Sequence, residues 1–251
     1  MIDRQFFGRQ LIEIDEVDST NIHAQDLLKN QKVLEGAIIT ANFQTKGRGQ
    51  MGTSWYSEKG QNLLFSLILT PTVLPLEMQF YLSKVVALGI VSFLNEITIT
   101  NAKIKWPNDI YVGDKKVCGI LIENNLRGYR LESSIVGVGM NINQLDFGVY
   151  NDSATSLRLL FGKVMDKSTL LNKLLAHLEL WYTILKIGDY QKIDEEYHQK
   201  LLFYDKWTHF EVKEKRILRK IIQVNSLGNL CLENGDGKTE VYGMKELKFI
   251  I

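Results

Sequence analysis

Apolar and polar residues alternate along this chain in two rhythms, one helical and one strand-like. Asp18-Ser19-Thr20-Asn21 offers several N-cap residues, and Ile22, Ala24, Leu27 and Leu28 follow at helical spacing, which predicts a helix. Gly36–Ala41 reads as a buried strand, Gln44 to Gly60 as a polar, glycine-rich loop, and Asn62–Leu69 as a second apolar strand. Met78–Ile97 has the periodicity of a helix packed on a sheet. Four short β-rich runs come next: Ile104–Trp106, Ile110–Val112, Cys118–Glu123 and Ser134–Asn143, with a turn at Gly113-Asp114. Ser168–Leu185 is an amphipathic helix with Leu170, Leu171, Leu174, Leu175, Leu178 and Trp181 on its apolar side, and Tyr190–Leu202 continues helical.

The rhythm changes after Trp207. Runs at Phe210–Val212, Ile217–Val224, Leu230–Glu233 and Thr239–Tyr242 are broken by Gly228 and by Gly235-Asp236-Gly237, which suggests a small antiparallel β-barrel or sandwich. The expected architecture is α+β: a larger domain over residues 1–203 and a small β domain over 204–251.

Composition narrows the function classes. Lys plus Arg is 30 against 29 for Asp plus Glu, a net charge of +1, so the chain lacks the basic footprint of a non-specific nucleic-acid binder. Any anion site must then be local, made from a few placed cations and backbone amides. Cys118 and Cys231 lie far apart with no CxxC spacing, which disfavours a disulfide framework or a zinc site and fits reduced cysteines in the cytosol. Met1–Phe7 shows no signal-peptide pattern. The apolar stretches Leu63–Leu69 and Val85–Leu94 are read as too short to span a bilayer. A cytoplasmic protein with no membrane partner is the expectation.

Four constellations carry candidate chemistry. Gly47-Arg48-Gly49-Gln50-Met51-Gly52, with Gln44 before it and Trp55 after, lets backbone amides approach an anion and sets a guanidinium fork among them. In Lys105-Trp106-Pro107-Asn108-Asp109 the proline stiffens a segment bearing oxygen ligands suited to Mg²⁺ and a lysine suited to phosphate. Lys115-Lys116-Val117-Cys118-Gly119 leads into a strand where glycine admits a close neighbour. Gly137-Val138-Gly139-Met140-Asn141 puts two glycines into an apolar strand, where they need a reason such as close approach of a ligand. Taken singly, each also fits a surface loop or turn.

Together and in this order, with Ser19-Thr20-Asn21 ahead of them, these segments resemble the biotin–protein ligases that lack a DNA-binding extension. The resemblance implies a mixed β-sheet catalytic domain packed with helices, of the class II synthetase and lipoate ligase kind, with a small C-terminal SH3-like barrel. It also implies ATP and biotin as substrates, Mg²⁺, a biotinyl-5′-AMP intermediate, and a biotin carboxyl carrier domain whose lysine is the acceptor. Residues carried over for biotin are Ser19, Thr20, Asn21, Gln44, Gly47, Arg48, Gly49, Gln50, Lys116, Gly119, Gly137 and Gly139. Those for ATP are Arg48, Trp55, Asn108, Asn141 and Ser156. Arg48, Lys116, Asp109 and Lys105 are the expected catalytic set, with Asp109 as the expected Mg²⁺ ligand.

The chain departs from the family pattern at Gln50 and Thr53, where many members carry basic residues that order the loop over the adenylate. The loop is expected to close with Gln50 and Trp55 instead. Too few residues precede Ser19 for a helix-turn-helix domain, so specific DNA binding is not expected, and both monomer and homodimer remain open. A lipoate–protein ligase or octanoyltransferase is the nearest alternative, and a non-catalytic biotin-binding module is the alternative of another class.

Overall fold

The computed structural model describes residues 6–30 and 32–251. Most of the segment read for a leader, Met1–Gln5, lies outside the described residues. A seven-stranded mixed sheet organises the larger part of the chain. It is built from β1 (Leu11–Val17), β2 (Ile38–Gln44), β3 (Leu63–Leu69), β4 (Ala102–Lys105), β5 (Asp109–Val112), β6 (Lys115–Arg127) and β7 (Arg130–Met140), in the order β1-β2-β3-β7-β6-β5-β4. Only β1 and β2 run parallel, joined over one face by α1 (Thr20–Lys29); the other neighbours are antiparallel.

Every residue of β3 is buried because both sheet faces are covered. Phe65, Leu67 and Leu69 face the main core under α2 (Phe80–Glu96) and α4 (Lys167–Lys186), whereas Ile68 joins a smaller cluster with Ala24, Ala37, Ile39 and Ile135 beneath α1. That alternation leaves Ser66, fully buried, on the α1 face. The stretch Leu76–Glu96 is long and apolar enough to cross a membrane, contrary to the reading of Val85–Leu94 as too short. Most of it is buried inside the protein, where Phe80–Glu96 forms the central core helix.

Two further helices, α3 (Leu157–Phe161) and α5 (Tyr190–Lys200), lead to the C-terminal unit. That unit has strands β8 (Trp207–Val212), β9 (Lys215–Val224), β10 (Leu230–Glu233), β11 (Thr239–Tyr242) and β12 (Lys248–Phe249), in an antiparallel sheet of order β11-β10-β9-β8-β12. Its buried side chains Phe210, Ile221, Val224, Leu230, Leu232 and Leu247 belong to the same apolar cluster as α2 and α4. Polar joints reinforce this contact: Trp106 Nε1 donates to Gly228 O at 2.9 Å, and the fully buried Lys84 reaches Asp194 Oδ1 at 2.6 Å and Val224 O at 3.0 Å. Gly228 has φ +87° and lies against the Phe80 ring, so it is both a turn residue and a close approach.

Candidate active site

Strand register gathers most of the candidate residues on one face of the sheet. Asp109 pairs with Gly119, Gly119 with Gly139, and Gly139 with Leu64, so these positions form one row across β5, β6, β7 and β3. The next row is Leu121, Gly137 and Ser66. Because side chains alternate between faces, Asp109, Gly119, Leu121, Glu123, Gly137 and Gly139 share the side that α1 covers in part. Above this floor is a cavity of ≈ 420 Å³, lined by Ser19, Thr20, Asn21, Gln44, Arg48, Gly49, Gln50, Trp55, Asn108, Asp109, Lys116, Gly119, Gly137 and Gly139 among others.

The glycines do admit a close neighbour, and the neighbour is protein. The Trp55 indole lies over Gly119 and Gly139, and the Asn21 carboxamide lies against Gly137, where a Cβ would collide with each. All three glycines also line the main cavity, so the room they leave is shared between these side chains and the cavity. The Gly47–Trp55 segment folds into a small hairpin, with Gly49 N donating to Thr53 O at 2.7 Å and Trp55 N to Gly47 O at 2.9 Å. Gly47 lines a second, adjoining cavity with Arg48, Gly49 and Glu123, not the first. Trp55 Nε1 is buried with no hydrogen-bond partner among the described residues, a donor left available at the cavity.

Two cations stand at the cavity, each beside a carboxylate. Lys116 Nζ is 2.7 Å from Asp109 Oδ1, outside hydrogen-bonding alignment, and 5.3 Å from the Trp55 ring centroid. Arg48 Nη2 is 3.0 Å from Glu123 Oε1. Around the other wall, Gln44 Oε1 accepts from Thr20 N at 2.8 Å, and the buried Ser19 makes no side-chain bond to the start of α1. Asn108 Nδ2 donates to Ile120 O at 2.9 Å, which occupies its amide in holding the Pro107–Asp109 turn to β6.

A smaller side cavity of ≈ 150 Å³ opens beside the first. Tyr56, Tyr111, Asn141, Phe147 and Tyr150 line it, and Trp55 and Lys116 line both chambers. Asn141 is thus adjacent to the main cavity, with its Nδ2 donating to Thr155 O at 3.0 Å. Ser156 reaches neither chamber: it is fully buried and caps α3, accepting from Leu159 N at 3.2 Å. Lys105 lines neither chamber, but it faces the same side of the sheet as Asp109, its cross-strand partner, and bonds Tyr111 of the side-chamber wall. Its Nζ is 3.2 Å from Tyr111 Oη and 5.8 Å from the Phe249 ring centroid of the C-terminal sheet. Burial pushes the Lys105 ammonium pKa below its usual value, with the nearby Asp109 charge opposing.

No group of three His, Cys, Asp or Glu that could hold a metal occurs among the described residues. Asp109 already has Lys116 as its cation, and Asn108, whose Nδ2 bonds Ile120 O, adds only its carbonyl oxygen, so these two residues by themselves supply too few oxygens for a protein-built cation site. Cys118 lies on the core side of β6, where burial pushes its thiol pKa far up, so it supplies no thiolate. Sequence reasoning passed over the side-chamber residues Tyr56, Tyr111, Phe147 and Tyr150, and also Ser66 and Glu123, which bond residues that line the main cavity. The last two had a signal, since Glu123 keeps the parity of Gly119, and Ser66 is the one polar position in an apolar strand.

A cavity on a glycine floor, with charge at its mouth and no reactive thiolate, suits an enzyme that joins two substrates by positioning them. The chain belongs to the biotin/lipoate A/B protein ligase family, which it matches over residues 13–141. It is therefore a ligase. It is 31% identical over 241 residues to the bifunctional ligase/repressor BirA of Bacillus subtilis, covering 95% of this chain and 74% of that one. To the biotin–[acetyl-CoA-carboxylase] ligase of Mycobacterium tuberculosis it is 26% identical over 237 residues, covering 93% and 86%. The biotin protein ligase from Aquifex aeolicus in complex with biotin and ATP superposes with a TM-score of 0.78 at 31% identity, covering 96% of this chain and 98% of that one.

Proposed function

We propose that this chain is an ATP-dependent biotin–protein ligase. Biotin's carboxylate attacks the α-phosphate of ATP, giving biotinyl-5′-AMP and pyrophosphate. An acceptor lysine amine then attacks the mixed anhydride and releases AMP. The observation that carries the reading is the pair of adjoining chambers with Lys116 and Trp55 on the wall of both. The glycine-floored chamber suits the biotin ring and tail, and the aromatic one suits adenine, which brings carboxylate and α-phosphate together beside Lys116.

In this reading Lys116 stabilises charge on the α-phosphate, and Arg48 meets the two anions with the guanidinium donors that Glu123 leaves free. Asp109 neutralises Lys116 until a phosphate arrives and stands where it can orient the incoming amine. Ser19, Thr20, Asn21 and Gln44 receive the biotin ring, while Gln50 and Trp55 close the hairpin over the adenylate. Mg²⁺ enters as the counter-ion of the ATP substrate, and no step runs through a protein-held cation. The acceptor is a biotin carboxyl carrier domain, and the protein works in the cytoplasm without specific DNA or membrane partners.

Mixing the protein with ATP, Mg²⁺, biotin and a biotin carboxyl carrier domain, and reading the acceptor's mass, tests the proposal. One biotinyl group per acceptor and biotin-dependent pyrophosphate release are expected. Pyrophosphate release with lipoate or octanoate but not with biotin overturns it.

A further inference from the structure

Two residues that do not line the main cavity, Ser66 and Glu123, are tied to three that do. Ser66 Oγ is 2.6 Å from Asn21 Oδ1 and 2.8 Å from Thr20 Oγ1. Asn21 Nδ2 is 2.7 Å from Glu123 Oε2 and 3.3 Å from Leu121 O. Glu123 also holds Arg48 through its other oxygen. Thr20 and Asn21 are each 3% exposed and Ser66 is 0% exposed, so water cannot freely repair a mismatched donor or acceptor here.

Counting hydrogens and weighing the distances favours one arrangement. The carboxylate of Glu123 and the carbonyl of Leu121 only accept, so the Asn21 amide must turn its NH₂ towards them and its oxygen towards Ser66. That oxygen only accepts, so the single Ser66 proton goes to it. The Thr20 and Ser66 oxygens are 2.8 Å apart, and with the Ser66 proton committed, Thr20 must donate. Thr20 Oγ1 also lies 3.1 Å from Gln44 Oε1, but that oxygen already accepts the Thr20 backbone N–H at 2.8 Å, and the shorter Ser66 contact would otherwise set two lone pairs against each other, so the Thr20 proton goes to Ser66. A one-way relay results, Thr20 to Ser66 to Asn21 to Glu123, with a negative charge as its terminus. At the cavity it leaves only lone pairs, on Thr20 Oγ1 and Asn21 Oδ1.

We infer that Glu123 is a positioning residue which, through this relay, makes the cavity floor an acceptor surface and so selects an acid whose ring carries N–H donors. The inference rests on the biotin reading and deepens it. The cyclic urea of biotin brings two N–H groups. A dithiolane or a plain alkyl chain brings none and leaves buried acceptors unpaired, which is the discrimination a hydrogen-bonding site makes best. Neutralising the terminus removes the polarity: a glutamine at 123 can donate to a flipped Asn21, and the relay can then run backwards.

The test is calorimetric titration of biotin into the wild-type chain, Glu123→Gln, Ser66→Ala and the double variant, with Tm measured on each. Ser66→Ala interrupts the relay without touching Arg48 or Glu123, so it separates the relay from the Arg48 anchor. Each single variant is expected to weaken biotin about tenfold, and the double variant to be no weaker than the weaker single, because one relay is broken twice. Independent, additive losses overturn the inference, as does a biotin Kd within about twofold of wild type in folded Ser66→Ala. Should Glu123→Gln not fold, the Ser66→Ala value decides alone. Failure of the wild-type chain itself to bind biotin while binding lipoate overturns the biotin reading instead.

Discussion

Lys116 is the cation on the wall shared by the two chambers, and its charge is shared between Asp109 at 2.7 Å and the face of Trp55. An ammonium so placed contributes most when negative charge grows on a phosphoryl oxygen, and little to binding a neutral ring. Replacing Lys116 by alanine should therefore lower the rate of adenylate formation by about 10²-fold or more while changing biotin affinity by less than about threefold. Rapid-quench measurement of pyrophosphate release beside equilibrium biotin binding reads both. Equal loss of the two would favour a binding module. Single residues were legible in the sequence to different degrees. Gly119, Gly137 and Gly139 announced a close approach, but nothing local said that Trp55 and Asn21 were what approached. Ser156 and Lys105 line neither chamber: each neighbours a site residue along the chain, but Ser156 caps a helix and Lys105 reaches the side chamber only through Tyr111.

Among the elements, long and strongly patterned ones were foreseen. The helices over Thr20–Lys29, Phe80–Glu96 and Lys167–Lys186 and most strands match the periodicities that predicted them. Three went unread. β1 carries Glu13, Asp15 and Glu16 on a sheet edge that is largely exposed, so its alternation is weak in apolar content. β12 is two residues long and exists only because β8 offers an edge, and α3 is a single five-residue turn capped by Ser156. One joint between elements has a pH signature. Val224 N in β9 donates to His198 Nε2 of α5 at 2.9 Å, which needs a neutral ring. Burial, with the Lys84 charge second and Asp194 opposing, holds the His198 pKa below 6.5. The unfolded chain then binds the proton more readily, so this contribution is complete above about pH 6.5 and is lost as pH falls through the folded value. Thermal melts from pH 7.5 to 5.5 should show a falling Tm, and His198→Gln, which keeps an acceptor for Val224 N, should flatten that slope.

At the scale of the whole molecule, the boundary drawn near residue 203 separates two sheets but not two cores. Phe210, Ile221 and Leu230 pack into the same cluster as Val85 and Leu174, and the Lys84–Asp194 pair with Val224 O lies within that junction. Removing Lys84 as Lys84→Met leaves Asp194 without its cation and should cost about 3 kcal/mol, the low end for a broken buried pair because Asp194 retains some access to water. A single unfolding transition, shifted as one, is expected by calorimetry; two separated transitions would contradict the continuous core. The placement of Trp55 has a consequence in the optical domain. Trp106 and Trp181 are buried and Trp207 lies on the C-terminal sheet, so Trp55 is the only indole of the four on the cavity wall. A substrate that settles on that wall changes the polarity around one emitter and leaves the other three as an internal standard. Intrinsic fluorescence should therefore report occupancy without any label, and Trp55→Phe should silence that signal while the remaining emission still reports folding.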